Sequence, residues 1–136
     1  MDRLIVDTGF LVALGRERDP CHDAARRFLK NCRLPLVTVS AVVAEACYFL
    51  APRAKQAFLR WVGSGGPTVF DVPLASYTEL AATIGKYADR DLDFADAALV
   101  WLANEASLRK IVTVDATDFS VIRLKGGKRF ELVDWT

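Results

Sequence analysis

The strongest constraint on this chain is an alternation: short β-branched and aliphatic runs are separated by longer stretches of helical periodicity. The runs are Leu4-Ile5-Val6, Leu36-Val37-Thr38-Val39, Thr68-Val69-Phe70-Asp71-Val72, Ile111-Val112-Thr113-Val114 and Glu131-Leu132-Val133. The first ends abruptly at Asp7-Thr8 and reads as a strand buried on both faces. Strands alternating with helices at these lengths point to an α/β sandwich around a mostly parallel sheet of four or five short strands. At 136 residues the chain is expected to be one domain, spanning 1–136, with a core that needs no staples.

The intervening segments carry helix signals. Gly9 to Gly15 is short and apolar, and Asp19-Pro20 supplies an N-cap and first-turn proline for an amphipathic helix over Cys21 to Cys32. Ser40 is placed to cap a helix running to Leu50, and Arg53 to Val62 forms another, stopped by Gly63-Ser64-Gly65-Gly66-Pro67. Ser76 with Glu79 reads as a capping box ahead of Leu80, Ile84 and Tyr87. The stretch from Asp93 to Ser107 is apolar almost all round and is expected at the centre of the core.

Bulk properties remove several function classes. A hydrophobic fraction of 52% and a charged fraction of 26% describe an ordinary globular chain. The net charge of +1 gives no global basic field, so any nucleic-acid contact must come from local patches. No apolar run nears the roughly 18 residues of a transmembrane helix, and Asp7 interrupts the N-terminal run before it resembles a signal peptide, so a cytoplasmic protein is expected. Cys21, Cys32 and Cys47 are odd in number and lack paired spacing, which indicates neither disulfides nor a zinc site. His22 has no second ligand at metal spacing and reads as surface.

The acids are more informative. Asp7 and Asp115 each follow a β-branched run, the place where open α/β sheets collect ligands. Asp7 also reads as the N-cap of the following helix. Glu45 lies on the apolar stripe of its helix with Val42 and Phe49, and Asp96 sits under Leu99 and Val100 in the first turn of a helix with no polar face. A buried carboxylate must pair or bind a cation, and no Lys or Arg stands at helical spacing beside Glu45. Asp93 and Asp118 read most simply as caps. All-oxygen ligands suit Mg²⁺ or Mn²⁺, ions that serve in-line phosphoester displacement. The residues thus point to a metal-dependent phosphoester enzyme using Asp7, Glu45, Asp96 and Asp115.

Four segments resemble the PIN domain family, and within it the single-domain VapC-type ribonuclease toxins. They are Leu4-Ile5-Val6-Asp7-Thr8-Gly9-Phe10-Leu11, Ser40-Ala41-Val42-Val43-Ala44-Glu45, Leu92-Asp93-Phe94-Ala95-Asp96-Ala97-Ala98-Leu99 and Thr113-Val114-Asp115-Ala116-Thr117-Asp118-Phe119, in the family's order. The resemblance implies a three-layer sandwich, a pocket for one or two Mg²⁺ or Mn²⁺ ions and endonucleolytic RNA cleavage. It gives the metal-ligand and catalytic roles to Asp7, Glu45, Asp96 and Asp115, with Asp93, Asp118 and Thr8 as secondary positions. It also implies a homodimer and a cognate antitoxin as partner. Arg123, Lys125, Lys128 and Arg129 crowd one segment and are candidates for tracking the RNA backbone. Trp61 and Trp101 read as core or dimer contacts rather than base platforms. Two other readings stand beside this one: a receiver-like signalling domain with an acidic pocket, and a non-catalytic scaffold of the same fold.

Overall fold

The computed structural model describes residues 2–136. Strand β1 (Leu4–Val6) leads into helix α1 (Thr8–Gly15) and α2 (His22–Asn31), then β2 (Leu36–Val39), α3 (Ser40–Phe49), α4 (Pro52–Gly63) and β3 (Pro67–Phe70). The chain continues through α5 (Tyr77–Lys86), α6 (Phe94–Ala106), β4 (Lys110–Val112), α7 (Ala116–Val121) and β5 (Glu131–Leu132). The five strands form one sheet in the order β3-β2-β1-β4-β5, and every pairing is parallel. The α/β architecture expected from the alternation is present, with seven helices flanking the sheet.

The strand order explains the sequence pattern. β1 and β2 are interior strands whose residues are all buried, so they contain no exposed polar position. Thr38 is the polar exception, and its hydroxyl donates to the Val6 carbonyl at 2.8 Å. The edges differ. β3 opens with Pro67, acceptable on an edge strand whose outer N–H groups need no ladder partner, and β5 is two exposed residues. Short edges of this kind leave little template for further strand pairing.

Helix α6 fills the centre as its composition requires: Ala95 and every residue from Ala97 to Ala103 are buried. Burial of its Leu, Val and Trp side chains contributes on the order of 1.5–3 kcal/mol each. Phe10, Leu11, Val12 and Ala13 of α1 join the same core.

Several local expectations are revised. Asp19 does not cap α2 but accepts from Cys21 N–H at 2.8 Å within a turn, and α2 begins at His22. Ser40 and Ser76 make no capping bonds: α3 starts directly from β2, and α5 grows out of a single 3₁₀ turn over Leu74–Ser76. The third strand stops at Phe70, leaving Asp71 outside it. His22 is half-buried rather than surface; its Nδ1 lies 2.7 Å from the Ala13 carbonyl. It lines a groove of about 820 Å³ among α1, α2 and α4, with Leu14, Leu29, Phe58 and Trp61 on the walls. That groove contains none of the acids singled out by sequence.

Candidate active site

From β1 the chain steps outward to β2 and β3, then returns to build β4 and β5 on the other side of β1. The β1–β4 boundary is therefore the switch point where the connections diverge, the place where open α/β sheets take their ligands. Asp7 is the first residue past β1, and the register pairs Val6 with Val112, which puts Asp7 level with Thr113. The Asp7 N–H donates to the Val112 carbonyl at 3.3 Å, so the two strands are still joined at this point.

Asp7 is both helix cap and pocket wall. Its Oδ1 accepts from the Phe10 N–H at 3.0 Å, closing the first turn of α1, and its Oδ2 accepts from the Thr113 hydroxyl. The side chain is buried, and burial raises its carboxyl to about 6 against the pull of these donors, with Asp115 adding like-charge repulsion.

The second strand end differs from the sequence expectation. β4 stops at Val112, not Val114, because Thr113 turns to local partners: its hydroxyl accepts from the Asp115 N–H at 2.8 Å and its carbonyl accepts from Trp135 Nε1 at 3.0 Å. Asp115 therefore stands at the start of α7, past the turn, and not at the strand end itself. Burial raises its carboxyl, and the neighbouring Asp118 raises it further. Asp118 lies in the first turn of α7 and contacts Arg90, Nη1 to Oδ1 3.7 Å.

Helix α6 delivers the third piece. Asp93 is its N-cap and Asp96 its third residue, and the two form a reciprocal capping box: Asp96 N–H to Asp93 Oδ1 at 2.9 Å, Asp93 N–H to Asp96 Oδ2 at 3.2 Å. Burial, then repulsion from Asp93, pushes the Asp96 carboxyl up to about 7, and Asp115 contributes in the same direction. Glu45 faces this pair from α3. Burial raises it, the Thr8 hydroxyl beside it opposes the rise, and the Asp93 carboxyl adds to it.

The electrostatic couplings run from Asp7 to Asp115, from Asp115 to Asp96 and Asp118, and from Asp96 through Asp93 to Glu45. The fold thus assembles the acids of four separate segments into one neighbourhood. Among the described residues no ion pair reaches Asp7, Glu45, Asp93 or Asp96. An all-carboxylate donor set with raised pKa values, offset only at Asp115 and Asp118 by the nearby Arg90, fits a divalent cation in charge and ligand chemistry. As placed, the side chains engage one another: no three of the described acids gather closely enough to hold an ion without turning.

The basic segment makes contacts of its own. Lys125 N–H bonds to Asn104 Oδ1 near the end of α6, and the Arg129 carbonyl accepts from Arg109 Nε just before β4. Arg123 bridges to Arg129, and Lys128 pairs with Leu124 in the same loop. The Arg109 and Arg129 contact lies where β4 begins, whereas the Arg123 N–H donates to the Tyr87 hydroxyl at 2.8 Å, in the joint that carries Arg90. The cation beside the acids is Arg90, which offered no sequence signal because it sits in an irregular joint. Thr113 was visible only as a polar residue inside a β-branched run.

Over 134 residues the chain is 34% identical to ribonuclease VapC26 of Mycobacterium tuberculosis, covering 96% of this chain and 99% of that one. Its structure resembles Mycobacterium tuberculosis VapC20, a Sarcin-Ricin loop cleaving toxin, with a TM-score of 0.76 and 21% identity over 85% of this chain and 93% of that one. It also resembles VapBC2 from Rickettsia felis, solved bound to a promoter DNA fragment, with a TM-score of 0.62 and 16% identity over 97% of this chain and 99% of that one. At those identities the solved structures speak for the fold. The PIN domain family model matches residues 4–124, from the first strand to the loop after α7, which sets aside a receiver-type domain. With both the acidic switch point and this match in place, the chain belongs to the PIN domain family.

Proposed function

We propose that this protein is an endoribonuclease, the toxin of a toxin–antitoxin pair, hydrolysing RNA phosphodiester bonds at the pocket of Asp7, Glu45, Asp96 and Asp115. The observation that carries the activity is the end-to-end similarity to a ribonuclease, 34% over 134 residues. The fold likeness to VapBC2 and to FitAcB of Neisseria gonorrhoeae supports a cognate antitoxin as partner. The residues that support the site assignment are those converging at the β1–β4 switch point.

Asp7, Glu45, Asp96 and Asp115 would hold the divalent cation, Mg²⁺ or Mn²⁺, with Asp93, Asp118 and Thr8 around them. When bound, the cation supplies charge neutralisation at the phosphate and a more acidic water. The chain's own residues prepare this. Phe10 N–H and the Thr113 hydroxyl fix both oxygens of Asp7, and the Asp93 N–H holds Oδ2 of Asp96, so two carboxylates are held before substrate arrives. A pocket carboxylate orients the attacking water towards phosphorus. The new P–O bond forms as the bond to the 3′ oxygen breaks, leaving a 5′-phosphate and a 3′-hydroxyl.

No helix of the described residues is long and apolar enough to cross a membrane. The exposed Leu74 and the edge-on pair Tyr77–Phe94 offer an apolar surface for a homodimer. The decisive experiment incubates purified protein with cellular RNA in Mg²⁺ or Mn²⁺, with and without EDTA, alongside Asp7→Asn and Asp96→Asn. Cleavage that needs the metal and is lost in both variants is expected. Wild-type cleavage by both variants would remove the site assignment, and folded, metal-loaded protein that leaves RNA intact would favour the scaffold reading.

A further inference from the structure

We propose that Arg90 is the residue that takes hold of an RNA phosphate at the acidic pocket, leaving its resting partner Asp118 as substrate enters. This inference rests on the reading of the carboxylates as the cleavage site. A pocket bordered by Asp7, Glu45, Asp93, Asp96, Asp115 and Asp118 repels a polyanion, and Lys125 and Arg129 of the basic segment are fastened to Asn104 and Arg109 on the side where β4 begins. Arg90 is at the pocket. Its guanidinium contacts Asp118, and its charge lowers the carboxyl of Asp115.

Two features make Arg90 available for exchange. The contact with Asp118 is 3.7 Å through a single nitrogen, longer than the roughly 2.7–2.9 Å of a charge-assisted hydrogen bond. Among the described residues the Arg90 side chain makes no other ion pair or hydrogen bond, and it is 32% exposed. Most of its five donors are therefore free, and the planar guanidinium fork matches two phosphate oxygens better than the present one-point contact. The backbone holds the residue in position: Ala88–Arg90 form one 3₁₀ turn, and Asp91 follows with φ 53°, a left-handed residue that bends the chain towards the start of α6. Arg90 thus rides on a joint fastened next to Asp93. A phosphate drawn to Arg90 comes to lie beside the carboxylates, and Asp118 is released from its ion pair.

The test compares wild type, Arg90→Ala, Arg90→Lys, Asp118→Asn and Asp7→Asn on a fluorogenic mixed-sequence single-stranded RNA pool in Mg²⁺ across a series of KCl concentrations, with circular dichroism as the check on folding. Arg90→Ala should lower kcat/KM about ten- to hundredfold, chiefly through KM. It should also flatten the dependence of log kcat/KM on log salt by about 0.7, one phosphate contact on a single strand. Arg90→Lys keeps the wild-type salt slope with part of the affinity, and Asp118→Asn keeps that slope. If Arg90→Ala does not fold, the neutral Arg90→Gln takes its place with the same expectations. A wild-type salt slope in the folded neutral variant overturns the proposal and leaves Arg90 as a structural partner of Asp118. Wild-type cleavage by Asp7→Asn is a separate result: it overturns the site reading, and the Arg90 proposal with it, whatever the salt slopes.

Discussion

Asp7 and Thr113, 106 positions apart in the chain, are level across the β1–β4 boundary, and the hydroxyl of one donates to the carboxylate of the other. The same hydroxyl accepts from the Asp115 N–H, so one side chain sets the position of two acids. Thr113→Val keeps the shape and removes both bonds. Losing a hydrogen bond to a buried charged group costs about 1.5–3 kcal/mol, so kcat/KM should fall at least tenfold with a lowered Tm. Activity within twofold of wild type would show that Asp7 needs no such donor.

The raised carboxyls give the metal-free protein a defined pH response. Asp7 at about 6 and Asp96 at about 7 both lie above the unfolded value of 3.8, so the folded chain binds more protons than the unfolded chain between those limits. Stability contributed by their protonated forms is full below pH 3.8 and is lost as pH rises through 6 to 7. For buried Asp7 the effect is roughly 3 kcal/mol. In EDTA, Tm should therefore fall more between pH 5 and 7.5 in wild type than in Asp7→Asn. Adding Mg²⁺ at pH 7.5 should restore several degrees in wild type, since a ligand at 100 times its Kd stabilises by about 2.7 kcal/mol, and far less in Asp7→Asn. Equal pH and Mg²⁺ responses in the two proteins would place the titration and the ion elsewhere.

Gly9 permits the close approach of α1 to the loop that carries Asp115. A Cβ at this position would stand 2.1 Å from Val114 Cγ2. Gly9→Ala gains helix propensity of about 0.5–1 kcal/mol, yet it must displace Val114 and with it Asp115. The expected outcome is a Tm near wild type with cleavage reduced more than tenfold, and recovery in Gly9→Ala/Val114→Ala. Failure of the double variant to recover would mean the loop is not what the glycine protects.

Asp93 separates capping from charge. Asn caps as well as Asp, whereas Ala forfeits about 0.5–2 kcal/mol. Asp93→Asn should hold its Tm and lower the pKa of Asp96, whose repulsion from Asp93 is relieved, while Asp93→Ala loses stability as well. Carboxyl titration by NMR measures the shift directly; an unmoved Asp96 would show that burial alone raises it.

How much of this was legible in the chain depended on whether local pattern or strand order decided the matter. Asp7 was readable as cap and pocket wall together because both roles follow from its place between an apolar run and a helix. Glu45 and Asp96 were readable from charge set on apolar helix faces. The end of β4 was not, since the run continues to Val114 and only the bonds from Trp135 and Asp115 to Thr113 take the backbone out of the sheet. The crowded basic residues left their placement open for a different reason. Proximity in sequence says nothing about which edge of a parallel sheet a loop reaches, and that edge is set by the order β3-β2-β1-β4-β5.

That order also sets a timetable. The strand beside β1 at the switch point is made after all the connections on the other side, and Asp115 and Asp118 follow it in the chain. A chain still short of β4 on the ribosome carries Asp7, Glu45 and Asp96 but not the strand beside β1 at the switch point. Those three acids can meet Asp115 only once β4 and the turn into α7 have been made.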